Sequence, residues 1–498
     1  MLLTHLNSKK QAWLVGGLLV LANLLVKGFY LDSNALAGDE PFSVYHAQMD
    51  AFSIVRLLSM GNNLPLYELL LHVWIGLGGI SEWWVRLPSL LFSSVTVLFI
   101  YKIGAKFLNK RVGLYAGILF ICSNYHVLFA HEARVYALLG MLAVVSMYCF
   151  LELTQALPEH GLLLGWKSWP ANLKRSGICL IFVNVLLLYS HYFGFFILFV
   201  QATYLLIQRP LLLAYWKQWL AGMGLLLLFY LPNAWVLVER FLQSSSKGTW
   251  VKPPDGVDTL YNMFWRFSNA PVVTVLVLLV LVSALAKYVL IRKRLQTNAA
   301  QGLVVLWFAG IFFTMFAFSY VVPMFLGRYL MPAAVAFGLV VAMASDFLIQ
   351  KPTWRYAIPV AICLLFAFSL ESNISNKREV AKAVNQVKAL QKPGSLVVFC
   401  PKDFMLTYAY HYDRRLFEHY NTVDILANID SGLRAQNVFG VDHLQDIDLS
   451  AVSHVIFLDA AGDISGPYNS IRQILDANFN LKEEYFVYEI FKTRVYQR

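Results

Sequence analysis

Charge is what this chain has least of. Of its 498 residues, 14% are Asp, Glu, Lys or Arg, against 58% hydrophobic and 15% aromatic, and the mean hydropathy is +0.58. A soluble protein of this length cannot enclose so much apolar surface in one core, so the composition excludes an ordinary globular enzyme and requires a polytopic membrane protein. Cysteine is scarce as well. Cys122, Cys149, Cys179 and Cys363 lie inside apolar runs and Cys400 in a later polar region, with no CxxC pair, which leaves neither a disulfide framework nor a cysteine metal site. The first apolar run is followed by no small-residue cleavage site and reads as a retained anchor. The formal charge of +11 suggests nucleic acid at first sight, but the basic residues fall between apolar runs rather than along one polar face. That is the pattern of membrane topology, and it excludes a nucleic-acid partner.

Apolar stretches long enough to cross a bilayer are abundant. A spanning length of ~20 residues predicts about eleven helices, near 12–30, 84–107, 112–130, 134–154, 176–191, 193–208, 218–237, 271–291, 302–321, 329–349 and 355–371. If these alternate, Lys9/Lys10, Lys102/Lys106/Lys110/Arg111, Lys167/Lys174/Arg175, Arg209/Lys217, Arg292/Lys293/Arg294 and Lys351/Arg355 share one side, which the positive-inside tendency makes cytoplasmic. The other side then holds nearly every polar cluster able to do chemistry. These are the 31–83 loop, His131-Glu132-Ala133-Arg134, Ser190-His191-Tyr192, the 239–271 connection and the turn at 323–328. The polar, Gly/Pro-punctuated segment from Gln243 to Pro254 reads as a mobile loop long enough to form a lid.

The organisation expected is a transmembrane domain over 1–371, with its first extracytoplasmic loop at 31–83, and a small extracytoplasmic α/β domain over 372–498. In the latter, Val380, Val384, Val387 and Leu390 recur at helical spacing, Leu396-Val397-Val398-Phe399 and Val455-Ile456-Phe457-Leu458 read as strands, and 485–496 as a strand or hairpin. No Gly-rich phosphate loop or zinc spacing occurs in it, so it reads as a cap or acceptor-docking module.

The feature most suggestive of chemistry is Gly38-Asp39-Glu40-Pro41-Phe42, an acidic pair where the first apolar helix runs out. Carboxylates at a membrane exit point to a reaction site at the bilayer surface, with Asp39 or Glu40 as base. The competing reading is structural, because Asp-Glu-Pro is also a normal helix start.

Several segments in order resemble the polyprenyl-phosphate-sugar glycosyltransferases of the GT-C fold, the group that includes the protein O-mannosyltransferases and the lipid A aminoarabinose transferases. They are the Gly38 to Ser43 motif, Asn63-Leu64-Pro65-Leu66-Tyr67, Gly79 to Ser89 with Trp83-Trp84-Val85-Arg86, His131 to Leu138, Ser190-His191-Tyr192-Phe193-Gly194, and Gly327-Arg328-Tyr329-Leu330-Met331-Pro332. The resemblance spans residues 1 to about 345. It implies inverting transfer of one sugar from a polyprenyl-phosphate donor to a glycan, lipid or protein acceptor on the extracytoplasmic side, with Asp39 in the place of the relatives' base. The chain departs from those relatives at Asn63-Leu64-Pro65, which lacks the lysine that helps hold a donor phosphate. Asn62 stands where the aminoarabinose transferases have an acidic metal ligand, so their metal site does not carry over.

Sugar transfer from a phosphate carrier needs a carboxylate to take the acceptor's proton and fixed cations or N–H donors at the departing phosphate. Arg134, Arg328 and Arg86 are the candidate phosphate ligands, against the alternative that they are interface anchors that snorkel; failing these, Lys247, Lys252 or Arg266 would serve. His131, Glu132, His191, Tyr136 and Tyr329 are candidates for substrate contact. With Asp39 or Glu40 the histidines and Glu132 could also make a mixed N/O site for a divalent ion, which their spacing does not require; as hydrogen-bonding partners they need no metal. Trp83-Trp84 and the tyrosines read as an aromatic belt. A transporter or flippase of a lipid-linked sugar is the competing class, but its usual internal repeats and mid-membrane charges are not evident. The setting that fits is a bacterial inner membrane with a cytoplasmic amino terminus.

An odd number of spans exports the carboxy-terminal domain. In spheroplasts, whose outer face is exposed, a carboxy-terminal tag is therefore expected to be digested by added protease; a tag shielded until lysis overturns the assignment.

Overall fold

The computed structural model describes residues 8–59, 63–160, 169–247, 251–291, 298–373, 379–418, 425–444, 447–450, 452–460, 470–487 and 491–498. Lys167, the Arg292/Lys293/Arg294 cluster and most of the proposed lid at 243–254 lie outside the residues or side chains so described. The chain forms two compact units. One comprises Met1–Tyr30, Leu57–Tyr67 and Arg86–Ile374, the other Leu31–Arg56, Glu68–Val85 and Ser375–Arg498.

The first unit is a helical bundle. Among the described residues, eight helices are long and apolar enough to cross a membrane: Lys10–Gly28, Glu82–Leu108, Tyr136–Ala156, Ala171–Ser190, Trp216–Glu239, Pro271–Ile291, Ala299–Phe318 and Gly327–Leu348. The other three predicted stretches fall on a bent pair, Lys110–Ile121 with Asn124–Ala130, and on two shorter apolar helices, Tyr192–Ile207 and Ala357–Phe368. The protein is thus an integral membrane protein. Burial separates the helices. Gly327–Leu348 and Tyr136–Ala156 are 83% and 78% buried over their apolar windows, whereas Trp216–Glu239 is 11% buried and turns Leu220, Leu227, Phe229 and Trp235 outward, where lipid would meet them. The first two are the centre of the bundle.

Polar residues inside it are spent on holding helices together. Ser146 donates to Asn184 Oδ1 (2.5 Å), Asn184 Nδ2 to Gln201 Oε1 (3.1 Å) and Gln201 Nε2 back to Ser146 Oγ (2.7 Å), closing a ring across three helices. Arg111 forks onto buried Asp346 through Nε and Nη2 (2.8 and 2.9 Å), joined by Asn109 (3.1 Å). Small residues set the closest approach: a Cβ on Gly104 would lie 2.3 Å from Gly113 Cα, so these two helices touch backbone to backbone.

The 112–130 stretch, predicted as one helix, bends by 62° at Cys122–Ser123. The cause is Asn269, far away in sequence and in the left-handed region (φ 67°). Its Nδ2 donates to the Cys122 carbonyl (2.7 Å) and its Oδ1 accepts the Asn124 N–H (2.8 Å), satisfying both broken ends.

In the second unit a five-stranded sheet has the order β2-β1-β3-β5-β4, with β1 Leu396–Cys400, β2 Val438–Gly440, β3 His454–Ala460, β4 Asn480–Val487 and β5 Phe491–Gln497. Strands β2, β1 and β3 run parallel; β5 and β4 add antiparallel. β1 is buried along its whole length because both faces are covered: Val398 and Leu396 pack with Ile471 and Leu475, while Phe399 stacks on Tyr408 at 4.5 Å. β4, at the edge, carries Lys482, Glu483 and Glu484 and is largely exposed.

The pieces of the first loop are helical. Glu40–His46, Ala51–Ser59 and Leu66–Gly78 are short helices, the last with 13 residues, under the ~20 needed to span. Trp84 is a pin rather than part of a belt. It stacks on Trp74 at 4.7 Å, and each indole N–H donates to the other residue's carbonyl (2.9 and 3.0 Å). Trp83 remains exposed.

Candidate functional site

Within the helical unit, the predicted site residues gather around His191. The helix Ala171–Ser190 stops there because His191 turns extended (φ −157°, ψ 140°), and its Nδ1 accepts the Phe193 N–H (3.2 Å). That bond puts the ring proton on Nε2. The imidazole lies 6.1 Å from the Tyr136 ring, 5.6 Å from Tyr329 and 5.1 Å from Phe193. Burial first, and then the charges of Arg134 and Arg328, push its pKa down to about 3. The imidazole is therefore neutral near physiological pH, chiefly because it is buried, and the two guanidiniums add a positive potential at the ring. Arg134 and Arg328, separated by nearly two hundred residues, act on one point.

Each arginine is held by its own local structure. Arg134 is 6% exposed, in the turn between Asn124–Ala130 and Tyr136–Ala156, with Nη2 donating to Asn63 Oδ1 (3.3 Å). The turn is fastened twice: His131 Nε2 donates to the Lys27 carbonyl (2.5 Å) and Ser89 Oγ to the Glu132 carbonyl (2.7 Å). Arg328 sits in the short helical turn Gly327–Leu330, with its guanidinium 5.7 Å over the Tyr329 ring; Tyr125 donates its hydroxyl to the Gly327 carbonyl (2.7 Å). Arg266, considered from sequence only as a substitute ligand, is a neighbour here, since a Cβ on Gly327 would meet its Nη1 at 3.6 Å.

Arg86 is 2% exposed, which is incompatible with a snorkelling anchor. It lies three residues before Ser89 and so shares the helix face that reaches the 131–135 turn. His131 has a structural task, because its Nε2 is committed to Lys27. Among the described residues no group of three or more His, Cys, Asp or Glu side chains is placed to hold a metal ion.

Asp39 and Glu40 belong to the other unit, where they sit in different local settings. Gly38 takes a positive φ (61°) that brings the chain into the helix Glu40–His46, with Pro41 in its first turn. Glu40 is buried and its carboxylate accepts the Ala37 N–H (3.2 Å), a helix-start bond. Asp39 stands at the N-cap position, half-buried, and makes no side-chain capping bond. The structural reading of the pair thus applies to Glu40. Buried Glu68, accepting from Ser43 Oγ (2.7 Å), steadies this helix.

Sequence reasoning missed the carboxy-terminal support for this turn. From the helix Met405–Tyr412 and the residues after it, His411 Nε2 donates to the Leu36 carbonyl (2.8 Å), Tyr410 to that of Ile80 (2.9 Å) and Arg414 to Glu82 (2.9 Å). No local signal announces contacts across more than 300 positions.

A bundle of membrane helices carrying loop chemistry at helix breaks, with a small sheet unit after it, is the GT-C architecture, and the chain has that fold. Among solved structures it is similar to ArnT of Cupriavidus metallidurans, a lipid A aminoarabinose transferase, in the apo state (TM-score 0.58, 13% identity, 98% of each chain). It is equally similar to the same protein bound to undecaprenyl phosphate (0.58, 14%, 97% of each chain). The archaeal oligosaccharyltransferase AglB of Archaeoglobus fulgidus, in complex with an inhibitory peptide and a dolichol-phosphate, matches at 0.53 and 10% identity, over 90% of this chain and 69% of that one. No family model and no curated protein matches the sequence.

A neutral His191 has a spectroscopic consequence. In protein labelled at histidine Cε1, the resonance that disappears in His191→Gln is expected to hold a neutral-form shift from pH 8 to pH 5. Titration near 6.5 would show that the ring is neither buried nor faced by the two arginines.

Proposed function

We propose that the protein is an inverting membrane glycosyltransferase that moves one sugar from a polyprenyl-phosphate carrier to a glycan, lipid or protein acceptor on the extracytoplasmic side. The observation that carries this reading is the joint action of Arg134 and Arg328 on a neutral imidazole between Tyr136 and Tyr329. Such a pocket suits a phosphate. Guanidinium forks stabilise the departing phosphate as its bond to the sugar breaks, and the His191 Nε2–H adds a neutral donor. Arg86 and Arg266 are assigned supporting positive charge. That one structural neighbour was determined with undecaprenyl phosphate and another with a dolichol-phosphate supports a lipid phosphate as the ligand.

Asp39 is assigned the base. It stands half-buried where the chain enters the helix Glu40–His46, and a carboxylate within reach of an attacking hydroxyl takes the proton as the new glycosidic bond forms. Transfer of radiolabelled sugar by purified protein in detergent separates this reading from a transporter, which would bind the lipid-linked sugar without cleaving it.

Two sets of variants test the roles. Asp39→Asn should stay folded by size exclusion and lose transfer by roughly 10²-fold or more; turnover close to the parent rejects the base. Arg134→Lys and Arg328→Lys keep the charge but lose the planar fork, so binding of polyprenyl-phosphate sugar should weaken by about tenfold or more in each. Parental binding and turnover in both would make these arginines architectural and move the phosphate site elsewhere.

A further inference from the structure

The sheet-bearing unit contains a polar cleft of about 500 Å³. Its size falls in the ~300–1,000 Å³ range of small-molecule sites, but its lining is charged and hydroxylated where most such sites are apolar. Lys388, Tyr410, Tyr412, Asp413, Arg414 and Arg415 form most of the wall. A ligand that fits such a wall is itself strongly polar.

The charges do not balance. Asp413 is matched by Arg415 alone, whose Nε and Nη2 each reach a carboxylate oxygen at 3.1 Å and whose N–H adds a third bond at 3.0 Å. These bonds hold the Asp413 carboxyl below its ordinary range, so it remains anionic and already neutralised. Arg414 is fixed by the Tyr410 hydroxyl (2.7 Å) and Glu82 (2.9 Å), and its guanidinium lies 4.4 Å over the Tyr410 ring. Lys388 rests 5.1 Å over the ring of Tyr412. With Glu82 offsetting Arg414 and Asp413 offsetting Arg415, one cation remains in excess, Lys388, and both it and Arg414 are presented on aromatic rings. His411 completes it as a neutral group, because burial keeps its pKa below the usual value.

We propose that this cleft binds an anionic saccharide, one bearing a phosphate or a carboxylate, and that it is the acceptor subsite of the transfer reaction proposed above, on which the second half of the inference rests. The connection runs through the wall itself. His411, which lines the cleft, is bonded to the Leu36 carbonyl, three residues before Asp39, and Tyr410 and Arg414 hold Ile80 and Glu82 of the same unit. A saccharide seated there leans on the side chains that fix the loop of the assigned base.

The test uses full-length protein in detergent and equilibrium dialysis against radiolabelled glucose 1-phosphate, galacturonate and glucose, with undecaprenyl phosphate binding measured alongside. At least one anionic sugar should bind about tenfold or more tightly than glucose. Lys388→Ala should weaken that binding by about threefold or more, as befits an exposed cation, and Asp413→Asn should strengthen it. Neither change should alter undecaprenyl phosphate binding. A preference for glucose 1-phosphate assigns phosphate as the recognised group, and a preference for galacturonate assigns a carboxylate. The cleft assignment is overturned if glucose binds as well as both anions, if no sugar binds, or if Lys388→Ala and Asp413→Asn bind like the parent. Should undecaprenyl phosphate still bind in that case, only this inference fails; should it not bind the parent either, the transfer reading fails with it.

Discussion

Asn269 ties together the ends of three helices at the place where the membrane bundle breaks. Its amide donates to the carbonyls of Cys122 and Phe366 and accepts the N–H of Asn124, while Asn124 reaches the Ser369 carbonyl and the Glu371 N–H. Hydrocarbon offers no water to a broken helix, so a bend survives only where protein groups satisfy the freed carbonyls and amides. This knot allows the 62° bend and thereby directs the chain into the turn that carries His131 and Arg134. Without it, a straight helix would carry those residues elsewhere.

The same constraint governs where charge can be used. Deep polar groups are consumed by each other, as in the ring of Ser146, Asn184 and Gln201 and the fork of Arg111 on Asp346. Lys27, fully buried, spends its ammonium on Ser93 and the Phe120 carbonyl and lies 3.9 Å over the Phe120 ring, while its own carbonyl holds His131. The helix break at His191 is different, because two arginines direct positive potential at one imidazole. This convergence of charge is what the proposed phosphate site rests on.

Much of the membrane architecture was legible because a spanning helix is a whole-segment signal. Ten of the eleven apolar stretches fall on a helix and the one at 112–130 on a bent pair, while the runs at 396–399 and 455–458 fall on adjacent strands. What the sequence could not display were relations between distant segments. The bend at Cys122 depends on a residue 147 positions away, and the support of the Asp39 loop on residues more than 300 away. The arginines, too, look alike in sequence, since a guanidinium near a helix end reads equally as anchor or ligand; only burial distinguishes Arg86. The acidic pair was ambiguous for a related reason. Capping and catalysis use the same residue types, and what the structure adds is a single hydrogen bond, from Ala37 to Glu40, that gives Glu40 a part in the helix start.

The central claim is that Arg134, Arg328 and His191 receive a lipid phosphate, and a structure of the protein with undecaprenyl phosphate tests it most directly. The account predicts phosphate oxygens at about 2.7–3.0 Å from both guanidiniums, with His191 Nε2 directed at the same group. A headgroup seated away from both arginines, with the His191 pocket filled by side chains or solvent alone, would contradict it.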